Sequence, residues 1–146
     1  MLKGVHPLLL PDLVQVLAAM GHGDEIAIVD ANFPAASVGR RVIELRGVGS
    51  AEVLDAVLTV FPLDTVVVPA ALTMQVVGDP AAVPEPVAAF AAAMSDHGLG
   101  DCEVGQLERN EFYARARNAF AIVRTGELRA YGNILLVKGV VNSYTR

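Results

Sequence analysis

A single cysteine, no tryptophan and an aromatic content of only 5% set the first limits on this 146-residue chain. Cys102 alone can form no internal disulfide, so a small secreted domain stapled by bridges is excluded, and a reducing, cytoplasmic setting is expected. Within its apolar run Cys102 is expected to be a buried, inert thiol. Charged residues make up 18%, against a globular norm of about 25%. The balance is acidic, with 11 Lys+Arg against 16 Asp+Glu and a net charge of −5. A chain with that balance has no overall basic footprint for a phosphate backbone, and nucleic acid is not an expected partner.

Long apolar runs are missing too. The longest stretch without a charged residue extends from Thr65 to Gly78 and is broken by Pro69, whereas a membrane helix needs about 18 apolar residues or more. No membrane partner is expected. Lys3 precedes Leu8, Leu9 and Leu10, but Pro7 and Pro11 bracket an apolar segment far too short for the core of a secretion signal, and none is expected. Several motifs are absent as well: the two-histidine helix spacings of zinc enzymes, the Gly-x-Ser-x-Gly elbow and both glycine-rich phosphate loops. His6, His22, Asp24, Asp30 and His97 are of ligand type but lack ligand spacing, so neither a metal nor a nucleotide cofactor is expected. Gly47-Val48-Gly49-Ser50 opens a helix and is at most a weak anion cradle.

What is abundant is apolar surface. Hydrophobic residues reach 53%, in a chain of one domain's length. A protein this small exposes much surface per unit volume, so part of its exterior is expected to be buried against copies of itself. Leu13, Val14, Leu17 and Met20 recur at helical spacing over Asp12 to Met20, and Val53, Leu54, Val57, Leu58 and Phe61 form a second stripe, with Ser50 as the expected N-cap. An alanine-rich helix is expected from Glu85 to His97, ending at Gly98, and a short one from Asn110 to Asn118. Between the helices, Ile26 to Val29, Arg41 to Leu45, Thr65 to Val68, Cys102 to Leu107, Phe120 to Arg124 and Ile134 to Val137 read as strands. This alternation implies one α/β domain with a mostly parallel sheet and helices on both faces.

Two places carry chemistry-bearing residues. His22 sits between Gly21 and Gly23, where backbone and ligand can approach closely, and imidazole exchanges protons near neutral pH. Asp30 ends a buried strand at its carboxyl end, the edge at which open α/β sheets bind ligands. In the last third, Arg109, Phe112-Tyr113 and Tyr131-Gly132-Asn133 combine flat apolar faces with donors and acceptors, a set suited to a sugar. Structural roles stand beside each of these: His22 as a helix cap, Asp30 and Tyr131-Gly132-Asn133 as turns, and Arg109, Arg115 and Arg117 as a solvated face.

Taken together, Leu2-Lys3-Gly4, Gly21-His22-Gly23-Asp24-Glu25-Ile26, Asp30-Ala31-Asn32-Phe33-Pro34, Phe112-Tyr113, Thr125-Gly126-Glu127 and Tyr131-Gly132-Asn133-Ile134-Leu135-Leu136 resemble the ribose pyranase and fucose mutarotase family, in order from Leu2 to about Val140. Gly23, the Arg109 to Tyr113 stretch and Tyr131-Gly132-Asn133 look like its fucose branch. The resemblance implies an aldose mutarotase without cofactor, in which His22 is the acid/base and Asp30, Arg109, Tyr131 and Asn133 hold sugar hydroxyls. It also implies a pocket formed between neighbouring subunits of a ring, commonly a decamer. The His6-Pro7 pair and the Ala/Pro-rich segment from Asp79 to Met94 depart from the pattern and leave ring size open. D-ribose pyranase activity, a non-catalytic sugar-binding oligomer and a hydrolase using metal at His22, Asp24 and Asp30 are the alternatives.

Overall fold

The computed structural model describes residues 1–143. Along the chain run α1 (Pro11–Ala19), β1 (Glu25–Val29), α2 (Ala35–Val38), β2 (Val42–Leu45), α3 (Ser50–Leu58), β3 (Ala71–Met74), α4 (Glu85–Asp96), β4 (Val104–Leu107), α5 (Arg109–Asn118), β5 (Ala121–Thr125) and β6 (Ile134–Val137). The strands form one sheet in the order β2-β5-β1-β6-β3-β4. β1 and β2 both pair with β5 in parallel, and β3 pairs with β4 in parallel, while β6 lies antiparallel to both β1 and β3. Five strands therefore share one direction and β6 alone is reversed.

Alternation along each strand divides the core in two, because successive side chains point to opposite faces. Ile26 and Ile28 of β1 and Leu136 of β6 pack with Leu13, Leu17, Leu54, Val57, Phe90 and Met94 of α1, α3 and α4. Ala27, Val29 and Leu135 face the other way, onto Phe33, Ala35, Phe112 and Ala116 around α2 and α5. The sheet is thus covered on both faces, which is why β1 and β6 read as unbroken apolar runs. Phe112 is fully buried, a contribution of about 2–3 kcal/mol by the usual burial scale.

Three expectations need correction. Thr65–Val68 is no strand: Val66, Val67 and Val68 are 79%, 48% and 63% exposed. The Asp64 carboxylate accepts the Val66 N–H and turns the chain outward, and Pro69, lacking an N–H, cannot join a central ladder. The strand is Ala71–Met74 instead, where the Thr73 hydroxyl donates to the Gly105 carbonyl. The N-cap of α3 is Gly49, whose N–H donates to Glu52, and Ser50 lies buried inside the helix. Cys102 is exposed, in the turn before β4. With β6 alone reversed, the sheet is mostly parallel, as the alternation of helices and strands implies. Among the described residues, no helix is long and apolar enough to cross a membrane.

Candidate active site

At the carboxyl edge of the parallel strands lies an open cleft of about 270 Å³. Asp30, Asn32 and Phe33 follow β1, Met74 ends β3, and Arg109 and Tyr113 belong to α5. The reversal of β6 brings Ala130, Tyr131 and Asn133, which precede it, to the same edge. The cleft thus gathers four of the five residues singled out from sequence, Asp30, Arg109, Tyr131 and Asn133. Their setting shows how each is held.

Asn133 is buried and clamps Asp30 twice: its Oδ1 accepts the Asp30 N–H at 2.9 Å, and its Nδ2 donates to Asp30 Oδ2 at 3.0 Å. Asp30 Oδ1 accepts the Asn32 N–H at 2.9 Å, so Asp30 is also a turn former. Burial pushes its carboxyl above the usual range, against the pull of the Asn133 and backbone hydrogen bonds. Tyr131 adopts φ +64°, a left-handed conformation rare outside glycine. Its hydroxyl accepts the Val77 N–H at 3.1 Å, which ties it to the loop after β3 and leaves the hydroxyl proton free to donate. Arg109 opens α5, where a cation opposes the helix dipole, so its placement is not explained by helix stability. Phe33 and Tyr113 meet edge to face, with centroids 5.2 Å apart, and with Met74 give the cleft an apolar wall.

His22 is elsewhere. It precedes β1, at the amino edge of the parallel strands, and the five residues of β1, rising about 3.3 Å each, separate it from Asp30. Its turn is closely fixed. Gly23 takes φ +83° and donates its N–H to the Lys138 carbonyl, while Lys138 donates its own N–H to the Asp24 carbonyl. The Lys138 ammonium caps the end of α1 through the carbonyls of Leu17 and Met20, at 2.7 and 2.6 Å. The capping role open to His22 in the sequence is therefore filled by a lysine. His22 is left half-exposed, with Nε2 3.3 Å from both carboxylate oxygens of buried Asp64. The Val66 N–H, and then His22, hold the Asp64 carboxyl below its usual range. In the tautomer that donates from Nε2 to this carboxylate, Nδ1 is the acceptor nitrogen. A second recess, of about 390 Å³, is lined in part by Asp64.

Asp64, Met74 and Tyr113 were not selected as site residues from sequence. Phe112-Tyr113 belongs to the sugar-suited set in the sequence without a role for Tyr113 by itself, and the partnership of Asp64 with His22, 42 positions away, has no local signal. Among the described residues, no group of three or more His, Cys, Asp or Glu side chains is placed to hold a metal ion.

The model of the RbsD / FucU transport protein family matches residues 3–141. The chain is similar to the L-fucose mutarotase of Actinobacillus pleuropneumoniae serotype 5b, at 42% identity over 96% of this chain and 97% of that one. Among solved structures it is similar to the fucose mutarotase of Streptococcus pneumoniae in complex with L-fucose, with TM-score 0.90 and 41% identity over 96% of this chain and 99% of that one. FucU from Bifidobacterium longum is similar with TM-score 0.87 and 43% identity over 95% and 99%. With a family model spanning nearly all of its length and relatives above 40% identity, this chain belongs to the RbsD / FucU family.

Proposed function

We propose that this protein is an L-fucose mutarotase, exchanging the α and β anomers of the free sugar by opening and reclosing its ring. The relatives named for this activity support the reading, and so does the chemistry of the cleft. Asp30, Arg109 and Asn133 offer paired acceptors and donors for hydroxyls, while Phe33, Met74 and Tyr113 offer an apolar wall for the methyl group of a 6-deoxy sugar. Arg109 donates two parallel hydrogen bonds to neighbouring hydroxyls, and the Tyr131 ring packs on the apolar face of the sugar. His22 Nδ1 takes the proton of the C1 hydroxyl. As the C1–O5 bond breaks, the ring oxygen takes a proton from solvent water, and reclosure on the other face of the aldehyde returns that proton to solvent and the proton held by His22 to O1. No electron or group is transferred, and a positioned acid/base contributes typically about 10²–10⁴-fold.

The single observation that carries the assembly is the separation of His22 from the cleft along β1. One chain holds the sugar-binding half at one edge of its sheet and the proton-transfer half, His22 with Asp64, at the other. We therefore read the working site as composite, the His22 edge of one copy meeting the cleft of its neighbour in a homo-oligomeric ring. The exposed Val66, Val67 and Val68, beside Asp64, supply apolar surface for such a contact.

Saturation-transfer NMR between the anomeric protons of L-fucose tests the activity. The wild type is expected to accelerate exchange and His22→Ala to abolish the acceleration at neutral pH. Acceleration left intact by that substitution refutes the role of His22. Faster pyranose to furanose exchange of D-ribose than anomer exchange of L-fucose would assign the ribose branch instead, and calorimetric binding without acceleration would mark a sugar-binding oligomer.

A further inference from the structure

Thr125-Gly126-Glu127 was singled out in the sequence and has no part in the site as described. Glu127 does not line the cleft, yet its carboxylate is 5% exposed and heavily engaged. Its Oε1 accepts the Arg129 backbone N–H at 3.0 Å and Arg129 Nε at 2.8 Å. Its Oε2 accepts Arg129 Nη2 at 2.8 Å and the Ser50 hydroxyl at 3.5 Å. Arg129 is in turn held by Glu85 at the start of α4, through Nη1 at 2.7 Å.

Two contacts tie Glu127 to both halves of the sugar cleft. Its main-chain carbonyl accepts the N–H of Ala31, the residue after Asp30, at 2.9 Å. Its side chain packs directly against Gly132, between Tyr131 and Asn133: a Cβ on Gly132 would fall 2.6 Å from Glu127 Cγ and 3.0 Å from the Ser50 hydroxyl. The bend that carries Tyr131 at φ +64° and sends Asn133 back onto Asp30 thus rests on the Glu127 side chain. Thr125 anchors the base of the loop, its hydroxyl donating to the Val29 carbonyl at 2.8 Å and accepting the Glu127 N–H.

We infer that Glu127 is a positioning residue for the sugar site, setting the Tyr131–Gly132–Asn133 bend in register with Asp30 through its Arg129-held side chain. The inference rests on the mutarotase reading above. A strained bend persists only where its surroundings over-determine it, and Glu127 touches the chain neighbours of both clamp partners, Ala31 beside Asp30 and Gly132 beside Asn133. Loosening it displaces binding groups without removing any of them or the His22 proton carrier. Binding of sugar then weakens more than turnover does.

Exchange rates measured by saturation transfer over a range of L-fucose concentrations separate the two quantities, with thermal unfolding recorded alongside. Glu127→Gln keeps the volume but cannot accept all the Arg129 donors. It is expected to raise KM about tenfold while kcat changes by less than about threefold. Arg129→Gln, at a half-exposed position outside the cleft, serves where the first variant does not fold, and is expected to raise KM in the same way by about threefold. A fall in Tm with KM unchanged in the folded variants reduces Glu127 to a stabilising residue and overturns the inference alone. An inactive wild type overturns it together with the mutarotase reading.

Discussion

Replacing Asn133 by alanine tests the central clamp of the cleft. Asn133 is 3% exposed and serves Asp30 with both ends of its amide. Its loss leaves the buried Asp30 N–H without an acceptor, which costs about 1–3 kcal/mol, and removes a hydrogen bond to a charged group worth about 1.5–3 kcal/mol. The two belong to one network and do not simply add, so about 3–4 kcal/mol is expected. In a chain of this size that corresponds to a Tm lower by roughly 10 °C. The loss also depends on pH. The Asp30 pKa is raised by burial in the folded state, so the protonated form carries its full stability below the usual carboxylate value, and stability is lost as pH rises through the folded value. Asn133 offsets that loss by favouring the carboxylate. The deficit of Asn133→Ala is therefore largest at neutral pH and shrinks toward about pH 4 as Asp30 takes up its proton. Thermal unfolding at fixed protomer concentration, at both pH values, measures it. A Tm change under about 2 °C, or an equal deficit at both pH values, would refute the reasoning.

Other consequences are equally open to measurement. If the site is composite, His22→Ala and Asn133→Ala are each inactive alone, but co-assembled in equal amounts they regain up to about a quarter of wild-type exchange, the fraction of sites drawing an intact half from each chain; no recovery after verified co-assembly would place both halves in one chain. The carboxyl of Glu127 is pulled down to about 2 by Arg129, so its stabilisation is present above the ordinary value of 4.5 and lost as pH falls through about 2. Glu127→Gln should cost roughly 1–3 kcal/mol at neutral pH by denaturant unfolding, the partial exposure of Arg129 trimming the full shift, and nothing below about pH 2. Gly126→Ala would place a Cβ 2.0 Å from the Arg46 carbonyl oxygen, in backbone that cannot yield cheaply, and is expected to cost about 3 kcal/mol in the same assay.

Local patterns in the chain were enough for most elements and for the residues with chemical capacity. The stripe of Val53, Leu54 and Val57 and the apolar runs of β1 and β6 follow from burial on one helix face or on both sheet faces, a property carried by each segment alone. The Gly-His-Gly turn, Asp30 and the Tyr131-Gly132-Asn133 bend were likewise visible, because glycine flanks and polar interruptions of apolar runs are local facts. Thr65–Val68 misled for the same reason: four β-branched residues look like a strand wherever they stand, and only the contest between Asp64 and a ladder position decided otherwise. Direction and edge are different in kind. That β6 runs backwards, so that Tyr131 and Asn133 join Asp30 while His22 lies with Asp64 at the far edge, depends on pairing between segments more than a hundred residues apart. Such pairing is decided by the packing of the whole sheet, which no single stretch of sequence contains.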